Sequence, residues 1–161
     1  MSSAPFYVAL IDNLIDFMRS HLTDKRTDRA GKQWIYPEYP RADAMRPRIS
    51  VVLSGLADRR ELGFGEGGQR LSLQLDIDVF TDTKFEWIEP STGRSYSGAS
   101  LLSYIASEMD TLFNGSRDEF LEEYGWIDFK LTGVVPFAYD EAIDEHRKTF
   151  RYLVELEDTS V

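Results

Sequence analysis

The spacing of apolar residues predicts two amphipathic helices. Apolar residues recur at intervals of three and four over residues 3–22, which is the pattern of a helix with one buried face. The same spacing over 97–115 predicts a second helix, with Ser97 as N-cap and Gly115 as C-terminal glycine. A short helical turn over 118–124 stops at Gly125. The predicted apolar faces are Tyr7, Leu10, Ile11, Leu14, Phe17, Met18 and Leu22 in the first helix, and Leu101, Leu102, Ile105, Met109, Leu112 and Phe113 in the second.

Alternation of apolar and polar residues predicts four strands, over 48–55, 70–80, 126–135 and 149–157. The clearest alternation is over 70–80, so one face of that strand is expected to pack and the other to face water. The first two strands are predicted to form a long-tipped hairpin, and the last two a hairpin with a charged, mobile link over 139–145. The predicted apolar positions are Ile49, Val51 and Leu53; Leu71, Leu73, Leu75, Ile77 and Val79; Ile127, Phe129, Leu131 and Val135; and Phe150, Tyr152, Val154 and Leu156.

The predicted order is α-β-β-α-β-β, which is typical of an α+β fold. Two helices on one face of a four-stranded, mainly antiparallel sheet form an ordinary two-layer arrangement. The chain has 161 residues, which suits a single domain over 1–161. Long loops are expected at about 23–47, 56–69 and 81–96, and loops of this length are commonly functional or flexible. The first of them includes a mixed-charge tract over 24–29 and the aromatic patch Trp34-Ile35-Tyr36.

Composition excludes several classes of site. The chain has no cysteine, which excludes disulfide scaffolds, thiolate zinc sites, cysteine nucleophiles and iron–sulfur clusters. No apolar run approaches the ~20 residues that a membrane-spanning helix needs. The N-terminal stretch lacks the basic region of a signal peptide and is interrupted by Asp12 and Asp16. We therefore expect an intracellular, soluble protein with no membrane partner.

The formal net charge of −10 is distributed unevenly. Residues 1–70 contain eleven Lys and Arg against nine Asp and Glu, a net of +2, whereas residues 71–161 contain seven against nineteen, a net of −12. An acidic half argues against binding to a phosphate backbone, which needs clustered cations. Unlike halves suit a component that stacks between different partners, although a merely solvated acidic surface explains the charge equally well.

The glycine-rich segment has a weak resemblance to a dinucleotide-binding fingerprint. Gly63, Gly65 and Gly68 have the spacing of that motif. The motif needs a strand before it and a helix after it, and here a strand is predicted to follow. A flexible hairpin tip is the better interpretation.

Other candidates for chemistry are equally weak. Asp76 and Asp78 share one face of a predicted strand and could bind a metal, but such a site needs further ligands from other elements. The sequence does not place the nearest acidic cluster beside them, and neither histidine has a recognisable triad partner. We therefore predict no catalytic residue, no cofactor and no metal. The acidic cluster mentioned here is Glu119, Glu122 and Glu123, and the two histidines are His21 and His146.

The tip of the first hairpin is a candidate contact surface. Arg59 and Arg60 lie close to Glu61 and Glu66, which could form ion pairs with a neighbouring subunit or simply keep an exposed hairpin soluble. Leu62 and Phe64 lie in the same loop, and a free loop has little use for large apolar side chains. Their presence favours a partner surface.

The order and spacing of these elements resemble the tail terminator, or tail-completion, proteins of long-tailed bacteriophages and related archaeal viruses. The resemblance covers about residues 5–158 and rests on the succession of elements, with no catalytic signature. The segments that carry it are the first helix, the proline-containing stretch 39–53, Leu75-Asp76-Ile77-Asp78-Val79-Phe80, the helix over 101–113, Val135-Pro136-Phe137-Ala138-Tyr139-Asp140-Glu141, and Arg151-Tyr152-Leu153-Val154-Glu155-Leu156-Glu157.

The resemblance implies a structural virion protein and not an enzyme. Such proteins form a homohexameric ring on the last ring of the tail tube, stop tube growth and form the joint to the head connector or neck protein. The implied location is the neck-proximal end of the virion tail, after assembly in the host cytoplasm. DNA would only pass through the channel, without specific binding. On this hypothesis the interface residues are Arg59, Arg60, Glu61, Phe64 and Glu66 at the hairpin tip, and Tyr139, Asp140 and Glu141 in the link.

Three alternatives stay open at the level of sequence. The chain could be another head–tail joining protein, such as a neck or head-closure component. It could be a metal-dependent hydrolase that uses Asp76 and Asp78. It could also be a small intracellular adaptor or toxin–antitoxin partner, which a stable dimer would favour.

Overall fold

The computed structural model describes residues 6–31, 33–37, 45–61 and 69–158, and for 56–61, 69 and 158 it describes the backbone alone. It has mixed α/β content, with three helices, a five-stranded sheet and a separate two-stranded sheet. The helices are α1 (Phe6–His21), α2 (Gly98–Gly115) and α3 (Arg117–Tyr124). The strands are β1 (Ile35–Tyr36), β2 (Arg48–Glu61), β3 (Gln69–Thr81), β4 (Glu86–Ile88), β5 (Ser95–Ser97), β6 (Trp126–Pro136) and β7 (His146–Asp158).

The main sheet has the strand order β1-β2-β3-β7-β6. The two predicted hairpins, β2–β3 and β6–β7, are present and are joined through antiparallel pairing of β3 with β7. The prediction of four strands misses β1, which pairs parallel with β2 through Ile35 opposite Ile49. Two residues are too few to show a periodicity, and only the tertiary structure reveals that Trp34 and Ile35 are buried against the sheet.

One hydrophobic core lies between the helices and one face of the main sheet. The alternating residues of β3 are all buried there, as predicted, and the matching positions of β7 lie beside them. Phe17 of α1 stacks against Phe120 of α3 with ring centroids 4.7 Å apart, and Phe113 of α2 lies 5.0 Å from Phe129 of β6. Phe120 also lies 4.6 Å from Trp126 of β6, so ring contacts connect all three helices to the sheet. The helix layer therefore contains α3, at the predicted helical turn over 118–124, beside the two helices of the predicted layout.

The ends of the second helix differ slightly from the prediction. Ser97 is the N-cap as expected, and its backbone N–H donates to Ser100 Oγ at 3.0 Å. Gly115 is the last helical residue and not a left-handed cap, because Ser116 ends the helix with its N–H donating to Leu112 O. Gly125, with φ 69°, ends α3 in the left-handed conformation, as predicted.

Three residues predicted as buried are exposed. Tyr7 lies in the first turn of α1 and packs edge-on against Phe6 instead of entering the core, whereas the unpredicted Ile15 is buried. Ile127 and Leu131 of β6 are also exposed, although Phe129 between them is buried. Register shifts after Trp126 and after Leu131 each insert an extra residue, and each shift interrupts the alternation of faces that the prediction assumed.

The connections predicted as long loops are largely ordered. Residues 81–96 contribute the two-stranded hairpin β4–β5. The mixed-charge tract is docked: the buried Lys25 ammonium lies over the adjoining rings of Trp87 and Tyr104 and pairs with Glu108 of α2 at 2.7 Å. The strands β2 and β3 extend into the predicted 56–69 loop, and the remaining 62–68, which contain the glycine motif, lie outside the described residues.

Among the described residues, none of the helices combines the length and hydrophobicity that a bilayer-spanning segment needs.

Candidate interaction surface

The link between β6 and β7 is a closed turn. The backbone N–H of Asp140 donates to Glu145 O at 3.0 Å, and the N–H of Glu145 donates back to Asp140 O at 3.1 Å. Asp144 supplies the left-handed conformation that the turn needs, with φ 51°. The link over 139–145, predicted as charged and mobile, thus forms a hydrogen-bonded turn.

Asp144 anchors the turn to the β3–β4 connection. Its carboxylate accepts hydrogen bonds from the Thr83 backbone N–H at 3.2 Å, from Thr83 Oγ1 at 2.8 Å and from the Tyr139 hydroxyl at 2.6 Å. The hydrogen bond from Tyr139 is the main cause of a lowered pKa for Asp144 and of a raised pKa for Tyr139. Tyr139 also stacks on His146, with ring centroids 4.5 Å apart. Its ring is therefore fixed although it is 40% exposed.

An ion-pair cluster holds the other side of the turn. Arg46 donates to Ile143 O at 2.9 Å and lies 3.4 Å from a Glu145 carboxylate oxygen, which Arg48 approaches to 3.3 Å. Arg46 also pairs with Asp82 at 3.3 Å. Of the predicted contact residues, Asp140 is exposed in the closing pair of the turn, and Glu141 is exposed directly after it. The turn therefore presents two carboxylates on a rigid support.

Exposed apolar side chains are concentrated along β6 and the turn that follows it. Six of the ten large hydrophobic side chains that are exposed among the described residues lie there. We call these six the β6 surface. β6 is also an edge strand, so its outer backbone groups have no strand partner among the described residues. The six residues are Ile127, Leu131, Val134, Phe137, Tyr139 and Ile143.

A groove runs between α2 and β6. It consists of two adjoining cavities of about 340 Å³ each, which share Asp110, Leu131 and Tyr152 in their walls. Tyr152 is only 4% exposed, and burial is the main cause of its raised pKa, with Asp110 contributing. Its hydroxyl forms no hydrogen bond with any residue in the described part of the chain. The groove thus has mixed walls, with polar and charged residues of α2 on one side and Leu131 and Tyr152 on the other.

Sequence reasoning did not find the groove. Tyr152 was predicted as a core residue, and the opening above it depends on α2 lying over β3 and β7, so that α2 does not cover Leu131 of β6. No local sequence signal reports where a helix lies across a sheet.

The structure does not bring the two predicted contact regions together. Residues 59–61 of β2 pair with 69–71 of β3, at the end of the sheet where β7 finishes. Tyr139, Asp140 and Glu141 lie at the opposite end, where β7 begins. The side chains of Arg59, Arg60 and Glu61 are not described, and Phe64 and Glu66 lie outside the described residues.

The candidate carboxylate pair is engaged in ion pairs. Asp78 accepts hydrogen bonds from Thr149 Oγ1 and, at 3.2 Å, from Arg147, and Asp76 lies 3.4 Å from Arg151 Nε. Asp78 is fully buried, which corrects the prediction that the polar face of this strand is wet throughout. Burial of a carboxylate is tolerated when a cation and a hydroxyl satisfy it.

The remaining candidates do not assemble into a metal site. In the part of the chain that the structure describes, no three acidic or histidine side chains are close enough together to hold a metal ion. His21 Nδ1 lies 2.9 Å from Phe17 O, and His146 packs between Tyr139 and Gly98. The three glutamates considered beside the aspartates are exposed on α3. They are Glu119, Glu122 and Glu123.

No protein-family model matches this chain, and no curated protein matches it in sequence.

Proposed function

We propose that this chain is a structural virion protein of the tail-terminator kind. Six copies form a ring that caps the tail tube, ends its polymerisation and forms the joint to the head connector or neck protein. The observation that carries the proposal is the β6 surface, an apolar edge on a rigid support. A monomeric protein has little use for such an edge, because an unpaired apolar strand invites association.

Rigidity of the turn supports a role in assembly. Binding costs free energy for every side chain that must be ordered on contact. The hydrogen bonds and ion pairs around Asp144 and Glu145 order the turn before any partner arrives. Tyr139, Asp140 and Glu141 therefore suit a contact with a neighbouring subunit or with the tail tube protein.

The charge distribution supports passage of DNA without binding. A ring of six copies carries a formal charge of −60, from −10 per chain. Phosphate groups are repelled by a surface of like charge, so DNA would cross such a ring without adhering. The proposal involves no catalytic residue, cofactor, metal or membrane partner, and it places the protein at the neck-proximal end of the tail.

The mass of the purified protein in solution tests the ring. We expect a closed species of about 111 kDa, six times the 18.5 kDa chain, over a range of concentrations and without dependence on Mg²⁺. Leu131→Glu should disrupt this species, because it places a charge in the β6 surface. Ile88→Glu is the matched control, since Ile88 is an exposed apolar residue on β4, outside the β6 surface.

A second measurement addresses the partner. Added to polymerising tail tube protein of the same virus, the wild-type chain should shorten the tubes, and Leu131→Glu should not. A discrete two-fold dimer at every concentration, or tubes of unchanged length, would contradict the proposal. Preferential binding to the connector over the tube would favour the head-closure alternative.

A further inference from the structure

In the part of the chain that the structure describes, the main sheet has two edges without a full neighbouring strand, on opposite sides. On one side β1 covers β2 only at Ile49 and Ser50, so the backbone of residues 51–61 has no described strand beside it. On the other side β6 is the last strand. A contact between these two different edges is heterologous, and its repetition generates rings or filaments.

The two free edges lie at the same level of the sheet. Following the strand register, Leu53 is in one row with Leu75, Tyr152 and Leu131. The row of Val51 ends at Val134, and the row of Arg59 ends at Trp126. The free part of β2 and the length of β6 therefore match each other row by row.

The strand directions are also compatible. β2 and β7 are both antiparallel to β3, so they run the same way, and β6 is antiparallel to β7. If a second copy is placed beside β6 in the same orientation, its β2 runs antiparallel to β6. Antiparallel addition is the more favourable pairing and is a common mode of recognition at sheet edges.

The groove lies where an added strand would direct its side chains. Leu131 and Val134 share the helix-covered face with Tyr152 and Phe150, since each is opposite one of them in the register. Both are nearly half exposed because no helix covers them. Apolar side chains from a neighbouring copy would cover these residues.

Shape restricts the partner at this edge. β6 is formally neutral, with Asp128 and Lys130, so it does not repel the Arg59 and Arg60 of a β2 strand beside it. Both free edges also carry two register shifts each. Bulges and edge prolines such as Pro136 prevent pairing with arbitrary flat strands, so a partner must match them.

We propose that β6 of one copy pairs antiparallel with residues 51–61 of β2 in a second copy, and that the groove between α2 and β6 receives the adjoining side chains of that copy. This inference rests on the proposed ring and specifies its subunit contact. The main contact between subunits would then lie at the two sheet edges, and not at the hairpin tip and the 139–145 link predicted from the sequence.

Val134→Pro tests the backbone pairing directly. The N–H of Phe137 donates to Arg147 O on β7, so alternation directs the N–H of Val134 outward. Proline at an outward position of an edge strand removes no hydrogen bond within the fold. We expect Val134→Pro to raise the concentration at which the assembly dissociates by at least about tenfold, which corresponds to the loss of roughly 1.4 kcal/mol per contact. Val134→Thr, which keeps the N–H, is the matched control.

Mixing two variants, each with one of the two sheet edges altered, tests the direction of the contact. This test is independent of the Val134→Pro variant. Leu131→Glu disables the β6 edge, and the double variant Arg59→Glu with Arg60→Glu disables the β2 edge. Each alone should be monomeric, whereas an equimolar mixture should form a 1:1 heterodimer of about 37 kDa, twice the 18.5 kDa chain, because one intact edge of each kind remains.

The outcomes separate this inference from the proposed function. A wild-type ring that persists unchanged in Val134→Pro, with no heterodimer in the mixture, overturns the edge contact and leaves the ring proposal standing. A wild-type chain that is monomeric or a two-fold dimer at every concentration overturns both. Circular dichroism of each variant establishes that it is folded before its mass is interpreted.

Discussion

Single residues of this protein show how charged groups become part of its framework. Lys25 belongs to a tract whose composition is typical of a solvated loop, yet its ammonium is buried over Trp87 and paired with Glu108. Asp78 is buried on a strand face and is satisfied by Thr149 and Arg147. In both cases a cation, an anion and an aromatic ring or hydroxyl offset the cost of leaving water.

Asp144 makes the stability of the protein dependent on pH. Its folded-state pKa is lowered, chiefly by the hydrogen bond from Tyr139, so its contribution is complete above the ordinary pKa of about 4 and is lost as the pH falls through the folded-state value. Asp144→Asn removes this contribution while tolerating the left-handed backbone. We expect the difference in free energy of unfolding between wild type and variant to be constant near pH 7 and to shrink below about pH 4. A difference that grows on acidification would contradict the assignment; urea unfolding at a series of pH values measures it.

At the scale of elements, the entry into α2 is a closely packed junction. Gly98 has φ 51°, and a Cβ atom at this position would lie 3.2 Å from His146 Nε2. The junction is further held by Thr81 Oγ1, which donates to Gly98 O at 2.7 Å. The helix start, the end of β3 and the beginning of β7 therefore meet at one glycine.

Gly98→Ala should lower the free energy of unfolding by about 1–2 kcal/mol, because the new side chain faces both an unfavourable backbone conformation and a steric contact. Gly115→Ala is the matched control: a Cβ atom there meets nothing within 4 Å, and Gly115 is the last helical residue without a positive φ. The control should be neutral or stabilising by up to about 1 kcal/mol. Chemical denaturation of both variants measures the difference, and equal effects would rule out the steric explanation.

The elements were predicted unequally well. The long helices and β3 follow from strong periodicity, and the hairpin pairing of neighbouring strands follows from their order in the chain. The prediction that Ile127 and Leu131 of β6 are buried was wrong, because bulges interrupt the alternation of faces. Both short strands of the β4–β5 hairpin were assigned to a loop, since three residues do not establish a period.

At the scale of the whole molecule, one aromatic side chain connects the layers. Phe120 of α3 is 1% exposed and lies 4.7 Å from the ring of Phe17 in α1 and 4.6 Å from that of Trp126 in β6. Its position couples the helix layer to the edge strand that carries the proposed interface.

Phe120→Ala should therefore destabilise the fold by about 3–5 kcal/mol, the usual range for a buried aromatic residue. Ile88→Ala is the control, because Ile88 is 59% exposed and its truncation should change the free energy of unfolding by less than about 0.5 kcal/mol. Thermal and urea unfolding monitored by circular dichroism measure both. A loss below about 1 kcal/mol for Phe120→Ala would show that the layers are joined mainly elsewhere.

The spacing of apolar residues along the chain correctly predicts the mixed helix-and-sheet content, the main helices, the two hairpins and the core face of β3. These features depend on the spacing of apolar and polar residues within short segments, which can be read directly from the sequence. The tertiary structure decided the rest: the parallel strand β1, the docking of Lys25, the burial of Asp78 and the groove above Tyr152. Each of these depends on contacts between residues far apart in sequence. Such contacts form only when the helices pack on the sheet. The free edge of β6 depends on the sequence and on the fold. The sequence predicts the strand, and the strand order of the folded sheet leaves its outer side without a neighbouring strand among the described residues.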